Sequence, residues 1–300
     1  MKTLKRRMKA LIRRVIDAAS EPEEKPPLTI RDPGQDDYAY PWLNSILLKT
    51  IIEGGRRRFR PNYMWGVLHG AHLARALGIA RISVIEFGVA GGNGLISLER
   101  AADAIEPILE VQIDVHGFDT GAGLPRPQDY RDLPNLYTES AFSMDVSALK
   151  RRLTRSRLHL GLVEESVPKF IGSQPAPIAF VSFDLDYYSS TVHAFKLFEA
   201  DQSLLLPRVH CYFDDILGFT CSEFTGERLA ISEFNQKHAM RKISPVFGLR
   251  HFLPPEFRDE AWSEMMYMAH LFDHDLYGTK DGLVRRTSGG VTQLVEGRDR

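Results

Sequence analysis

Cysteine is scarce in this chain: only Cys211 and Cys221 occur among 300 residues. Two unpartnered cysteines exclude a disulfide framework and a cysteine-based zinc site, and they suit a reducing, cytoplasmic setting. No run is long and apolar enough to span a bilayer, so no membrane span is expected. The basic N-terminus lacks the uninterrupted apolar stretch of a secretory signal, because Leu11-Ile12 is followed at once by Arg13-Arg14. An organellar targeting peptide remains compatible with it. Neither sign of charge dominates, with 38 Lys and Arg against 39 Asp and Glu. The chain as a whole therefore has no electrostatic footprint for nucleic acid. Internal repeats and low-complexity tracts are also missing. What is present is 43% hydrophobic residues, enough for a globular core without staples.

The near-neutral total hides local asymmetry. Residues 1–14 carry Lys2, Lys5, Arg6, Arg7, Lys9, Arg13 and Arg14 and no acid. Leu4, Met8, Leu11, Ile12 and Val15 fall on one helical face, which reads as a terminal helix packing on the body or on a second subunit. Residues 20–41, rich in proline and acid, read as a linker or extended arm, and so long an arm would suit a homodimer. A second basic cluster, Arg56, Arg57, Arg58 and Arg60, reads as either solvated or in contact with an anionic substrate. The expected division is an N-terminal helix, linker and helical arm over 1–60 and one α/β domain over 61–300.

Helices are expected at 42–53 and 62–78. From there strand and helix alternate, the pattern of parallel βαβ units. Strands are predicted at 82–88, 111–118, 157–163, 177–184 and 208–214, with helices at 93–107, 144–154, 165–172 and 190–204. Segments near 247–253 and 264–272 are expected to form an antiparallel edge. The expected fold is therefore a doubly wound, mostly parallel α/β sheet. Such a sheet binds ligands beyond the carboxyl ends of its strands, and the chemically capable residues fall at those ends.

Two constellations stand out. In Glu86-Phe-Gly-Val-Ala-Gly-Gly-Asn-Gly94, a strand passes into a helix through glycines that permit a tight turn and close approach of a ligand. Counted from Gly88, the spacing of a dinucleotide fingerprint is not met. Glu86, the acid just before the glycines, could bind an ammonium group, and Asp119, at the end of the second strand, is placed for ribose hydroxyls. Gly88 and Gly92 complete this candidate cofactor site. In the second constellation, Asp184-Leu-Asp186 ends one apolar strand and Asp214-Asp215 ends the next. Carboxylates brought together repel unless a cation sits between them, and all-oxygen donors suit Mg²⁺. Asp186, Asp214 and Asp215 are the expected metal ligands, Asp186 also the general base, and Asp184 a supporting residue. His193, His251 and His270 are rival bases, and Tyr187, Tyr188, Phe219 and Trp262 are candidate aromatic walls of an acceptor pocket.

At these residues the sequence resembles the macrocin and mycinamicin O-methyltransferases. The likeness rests on Glu86 to Gly92, on Gly117-Phe-Asp-Thr120 with Gly123-Leu-Pro125, on Asp184-Leu-Asp-Tyr-Tyr-Ser-Ser-Thr191, and on Asp214-Asp215. Gly161-Leu-Val-Glu-Glu-Ser-Val-Pro168 resembles the family's segment near the adenine, which adds Leu162 to the cofactor site. The resemblance covers roughly residues 61–235. It implies a class I methyltransferase fold with a seven-stranded sheet, S-adenosylmethionine as donor, Mg²⁺ held by carboxylates, and a small-molecule hydroxyl, such as that of a sugar or glycosylated natural product, as acceptor. Ala90 and Gly91 stand where the family has bulkier residues, and residues 205–209 lack its glycine pair. Two other functions fit part of the pattern. A glycosyltransferase would use Asp184-Leu-Asp186 as a D-x-D metal site but leaves the glycine loop unexplained. A non-catalytic binding protein on the same fold would act through its basic N-terminal helix.

Overall fold

The computed structural model describes residues 39–56, 58–218 and 221–281. The basic segment 1–14, the linker before residue 39 and Phe219 lie outside these residues. Helix α1 (Ala39–Gly54) and helix α2 (Pro61–Ala76) precede the sheet. Strand β1 (Arg81–Phe87), helix α3 (Asn93–Leu109) and strand β2 (Gln112–Asp119) follow. Helix α4 (Val146–Arg152), strand β3 (Arg157–Leu160), helix α5 (Val163–Gly172), strand β4 (Ile178–Phe183), helix α6 (Tyr188–Ala194) and strand β5 (Leu205–Phe213) continue the alternation. Helix α7 (Gly226–Lys237) and strands β6 (Arg241–Pro245) and β7 (Met266–Leu271) complete it.

The seven strands lie in the order β3-β2-β1-β4-β5-β7-β6. All neighbours run parallel except β7, which is antiparallel to both β5 and β6. Helices α2 and α3 pack together on one face and α5, α6 and α7 on the other. This is the doubly wound, mostly parallel seven-stranded architecture expected, with the order reversing between β1 and β4. Reversal opens a crevice there, because the connections from β1 and β4 leave toward opposite sides.

Side-chain alternation decides what each face carries. Phe87, Phe183 and Phe213 are in register across β1, β4 and β5. Their rings stack at centroid distances of 5.6 and 4.6 Å under α6. One residue earlier, Glu86, Ser182 and Tyr212 form the corresponding row and point the opposite way, toward Tyr63 of α2. One face of the strand ends is thus aromatic core, and the other begins a polar network.

Three details depart from the sequence expectation. The helix expected over 190–204 is α6 followed by two short 3₁₀ turns, Phe195–Glu199 and Gln202–Leu204. The segment 247–253 is not a strand. Gly248, at φ 72°, caps a 3₁₀ turn over Leu249–His251, and the edge strand is the earlier, more polar β6. Helix α7 was not anticipated. Pro207 is accommodated within β5 because the β4–β5 register shifts between Ile178 and Phe180, and a bulge tolerates a residue that cannot donate to the ladder.

Candidate functional site

A cavity of about 430 Å³ opens beyond the carboxyl ends of β1, β2, β4 and β5. Gly88, Asp119 and Leu162 line one part of it, and Asp184, Asp186, Asp214 and Asp215 line another. The two constellations therefore share one space. Phe118, Tyr137 and Phe142 supply its aromatic wall. Tyr187, Tyr188 and Trp262 do not line it. Tyr187 is fully buried, the Tyr188 hydroxyl donates to Glu233 at 2.5 Å, and the Trp262 indole donates to Glu260 at 2.8 Å. Among the described residues no histidine lines the cavity. His193 faces Glu164 at 3.3 Å and His270 meets the Tyr277 hydroxyl at 2.9 Å, while His251 sits in the 3₁₀ turn after Gly248.

The glycine loop is held from below by Asp119. Its Oδ2 accepts from the Val89 and Ala90 N–H groups at 3.0 and 2.9 Å, and its Oδ1 accepts from Gly121 N–H at 2.7 Å. Lone pairs remain on both oxygens, so Asp119 can organise the loop and still receive a hydroxyl from the cavity. Gly88 has φ 79°, and a Cβ there would lie 1.7 Å from the Asp184 carbonyl oxygen. Only glycine lets β1 and β4 exit this closely. Gly92 does not reach the cavity, but caps α3 against Leu149.

Glu86 does not line the cavity either. It is 1% exposed, with Oε1 accepting from the Tyr63 hydroxyl at 2.7 Å, and Ser182 in turn donates to that hydroxyl at 2.8 Å. Gly94 makes room for it, since a Cβ there would meet Oε1 at 1.7 Å. Oε2 is buried without a partner. Burial pushes the carboxyl up to about 7, opposed by the Tyr63 hydrogen bond and the nearby Arg60 charge. An unpaired buried carboxylate is costly, and the raised value is how the enclosed group relieves that cost, by holding its proton more tightly.

The aspartate side is more crowded. Asp186 N–H donates to Asp215 Oδ2 at 3.0 Å, and the Tyr137 hydroxyl donates to Asp215 Oδ1 at 3.3 Å. The Tyr212 hydroxyl donates to Asp214 Oδ1 at 2.6 Å. Asp215 N–H donates to Glu227 of α7 at 3.1 Å. Burial, reinforced by Asp214 and Asp215, pushes Asp184 up to about 9. Burial also raises Asp186 and Asp215, with Asp214 adding to both. Glu227, fully buried, is raised for the same reasons. Asp186 itself sits at φ 59°, a left-handed conformation that aspartate tolerates better than most residues. Strain of this kind collects at functional sites.

Carboxylate oxygens are the donors that a hard cation takes, and their mutual repulsion is what such a cation would relieve. Among the described residues, however, no three Asp, Glu, His or Cys side chains are placed to hold a metal ion. The expected ligands Asp186, Asp214 and Asp215 share the cavity, yet Asp214 and Asp215 are turned to hydrogen-bond neighbours. The donor chemistry fits Mg²⁺, and the carboxylates would have to reorient to form a ligand set. Tyr137, Glu227 and Tyr63 are site residues that the sequence did not reveal. None lies in a motif, and each reaches the site from a loop or helix distant in sequence.

No family model matches the chain, and no curated protein matches it. Solved structures similar to it include the calicheamicin methyltransferase CalS11, at 22% identity over 72% of this chain and 91% of that one, with a TM-score of 0.46. The O-methyltransferase NovP is similar at 15% identity over 66% and 89%, with a TM-score of 0.47. The MycE methyltransferase from the mycinamycin biosynthetic pathway, in complex with Mg, SAH and mycinamycin VI, is similar at 14% identity over 69% of this chain and 49% of that one, with a TM-score of 0.34. The chain thus spans about half the length of MycE. Among the described residues, no helix is long and apolar enough to cross a membrane.

Proposed function

We propose that the chain is an S-adenosylmethionine-dependent, Mg²⁺-dependent O-methyltransferase acting on a hydroxyl of a small molecule, with a sugar or glycosylated natural product as the acceptor class. The catalytic unit is assigned to residues 61–300, with 1–60 as an N-terminal extension. One observation carries the reading: a single cavity of about 430 Å³ joins a glycine loop and strand-end acid on one side to four aspartates on the other. A D-x-D glycosyltransferase would need the aspartates alone.

When bound, the donor would supply an electrophilic methyl group, and Mg²⁺ held by Asp186, Asp214 and Asp215 would lower the pKa of an acceptor hydroxyl. The residues of the chain do the rest. The loop at Gly88 brings backbone close to the cavity, and Asp119 offers its free lone pairs to ribose hydroxyls. Leu162 offers an apolar surface for a purine, and Glu86, whose buried Oε2 has no partner, would meet the ammonium group of a methionine moiety once the cavity opens toward it. Asp186 takes the proton released by the acceptor. Phe118 and Phe142 give this space an apolar wall.

Asp186→Asn tests the assignment, because asparagine also tolerates the left-handed backbone. Turnover should be lost while S-adenosylhomocysteine binding, measured by calorimetry, stays within twofold. Full methyl transfer in excess chelator would remove the metal from the scheme.

A further inference from the structure

Beside the reaction cavity lies a second, larger hollow of about 650 Å³ that nothing above explains. Asn93, Ile96, Ser97 and Arg100 line it, a spacing that puts all of them on one face of α3. Arg58 and Arg60, from the loop before α2, and Arg152, at the end of α4, close it. Four guanidinium groups thus converge on one groove, and no carboxylate lines it. Among the described residues none of the four is in an ion pair, whereas arginines 56, 81, 131, 155, 208, 228, 241 and 250 all are.

Three of the four side chains are held by uncharged groups, and Arg60 alone also feels the carboxylates of Glu86, Asp184 and Asp214. Arg60 lies over the Tyr63 ring at 5.1 Å and donates to its hydroxyl at 3.2 Å. Arg100 donates to the Arg58 carbonyl at 3.1 Å. Arg152 donates to the Gly91 carbonyl at 2.7 Å and to Asn93 Oδ1 at 3.1 Å. The groove also meets the start of α3, a 17-residue helix whose first turn has no acid and no side-chain cap. The positive end of the helix therefore adds to the guanidinium charge. Like charges gathered this way are unfavourable unless an anion joins them, and forked guanidinium donors match phosphate oxygens in particular.

We propose that this groove binds a phosphate or diphosphate group. The proposal does not depend on the methyl-transfer reading. Two sources supply that chemistry: a free phosphate, or a phosphate carried by the acceptor itself, which could extend from the groove past Arg60 toward Asp184 and Asp214, whose charges Arg60 feels.

The test is calorimetry with inorganic pyrophosphate in chelator at low salt. The intact chain is compared with Arg58→Ala/Arg100→Ala, and with Arg58→Glu as a second variant. Wild type should bind one pyrophosphate per chain. Both variants should bind at least tenfold more weakly, while S-adenosylhomocysteine affinity is unchanged. Tighter binding of glucose 1-phosphate than of inorganic phosphate, strengthened by S-adenosylhomocysteine, assigns the phosphate to the acceptor. Equal and uncoupled binding of the two assigns it to a free anion. No binding by wild type, equal binding by the variants, or a strong preference for a single-stranded oligonucleotide over pyrophosphate would overturn the proposal. Loss of methyl transfer alone bears on the function proposed above and leaves this result standing.

Discussion

The two sides of the reaction cavity solve the same problem in opposite ways. At the ends of β1 and β2, Asp119 is enclosed by three backbone N–H donors, so the fold itself supplies its hydrogen-bond partners. At the ends of β4 and β5, Asp184, Asp186 and Asp215 sit among one another and are all pushed above the usual carboxylate range by burial and mutual repulsion. On the first side the Asp119 loop is complete as folded, although Glu86 beside it keeps a buried oxygen without a partner. The other side carries negative charge that only a proton or a cation can offset. Stability therefore belongs to the first side and reactivity to the second, and substitutions should separate them.

The largest effect should come from the reactive side. Asp186→Asn removes a charge without disturbing the left-handed backbone at φ 59°. A general base contributes about 10²–10⁴-fold, and loss of a metal ligand adds to that, so methyl transfer should fall below detection in a radiometric assay. Melting temperature should rise, because one member of a repelling cluster is gone. A fall in both activity and melting temperature would break the contrast between the two sides.

Next in size is Glu86→Gln, read as stability against pH. The Glu86 carboxyl lies near 7 in the fold against about 4.3 in an unfolded chain. A raised carboxyl means that the folded state holds the proton more tightly. Its stabilising contribution is complete below the unfolded value and disappears as pH rises through about 7. At about 1.4 kcal/mol per unit of difference, the variant should gain up to about 4 kcal/mol over wild type at pH 8, and nothing at pH 4. Thermal melts of the ligand-free chain at the two values check it. An equal gain at both would mean that Glu86 is not held protonated by its surroundings.

Asp119→Ala should sharpen the comparison from the other direction. It strips three N–H groups of their acceptor. Hydrogen bonds to a charged group are worth about 1.5–3 kcal/mol, so cofactor affinity should fall by roughly 10- to 100-fold and melting temperature should fall with it. Unchanged affinity with a lowered melting temperature would confine Asp119 to holding the loop.

Much of this was legible in the sequence where the chain is locally self-consistent. Strands β1, β2, β4 and β5 are apolar runs that end in acids or glycine, and both constellations were found at those ends. Legibility failed where long-range packing decides. Strand β6 buries only Ile243 among five residues, so it carries no strand pattern, whereas Phe247 to Leu253 has one that Gly248 interrupts. Glu227 and Tyr137 meet Asp215 only through the tertiary fold, and no spacing rule reaches so far. Glu86 was found as a residue but not as a buried one, since its enclosure depends on Tyr63 reaching it from α2.

The smallest effect should fall on Leu162, where the folded side meets open space. It is 39% exposed on the cavity wall and is the cap residue of α5. An exposed leucine contributes little to the core, so Leu162→Ala should leave the melting temperature within a degree or two. A nucleoside base laid against it would cover the exposed part. At roughly 25 cal/mol per Å², covering a few tens of Å² is worth about 1 kcal/mol. S-adenosylhomocysteine should therefore bind about fivefold more weakly to the variant in calorimetry. The loss should be the same with and without Mg²⁺, because Leu162 stands on the Asp119 side of the cavity and not among the aspartates of β4 and β5. A loss that appears only with metal present would place the base against the aspartates instead and reverse the assignment of the two sides.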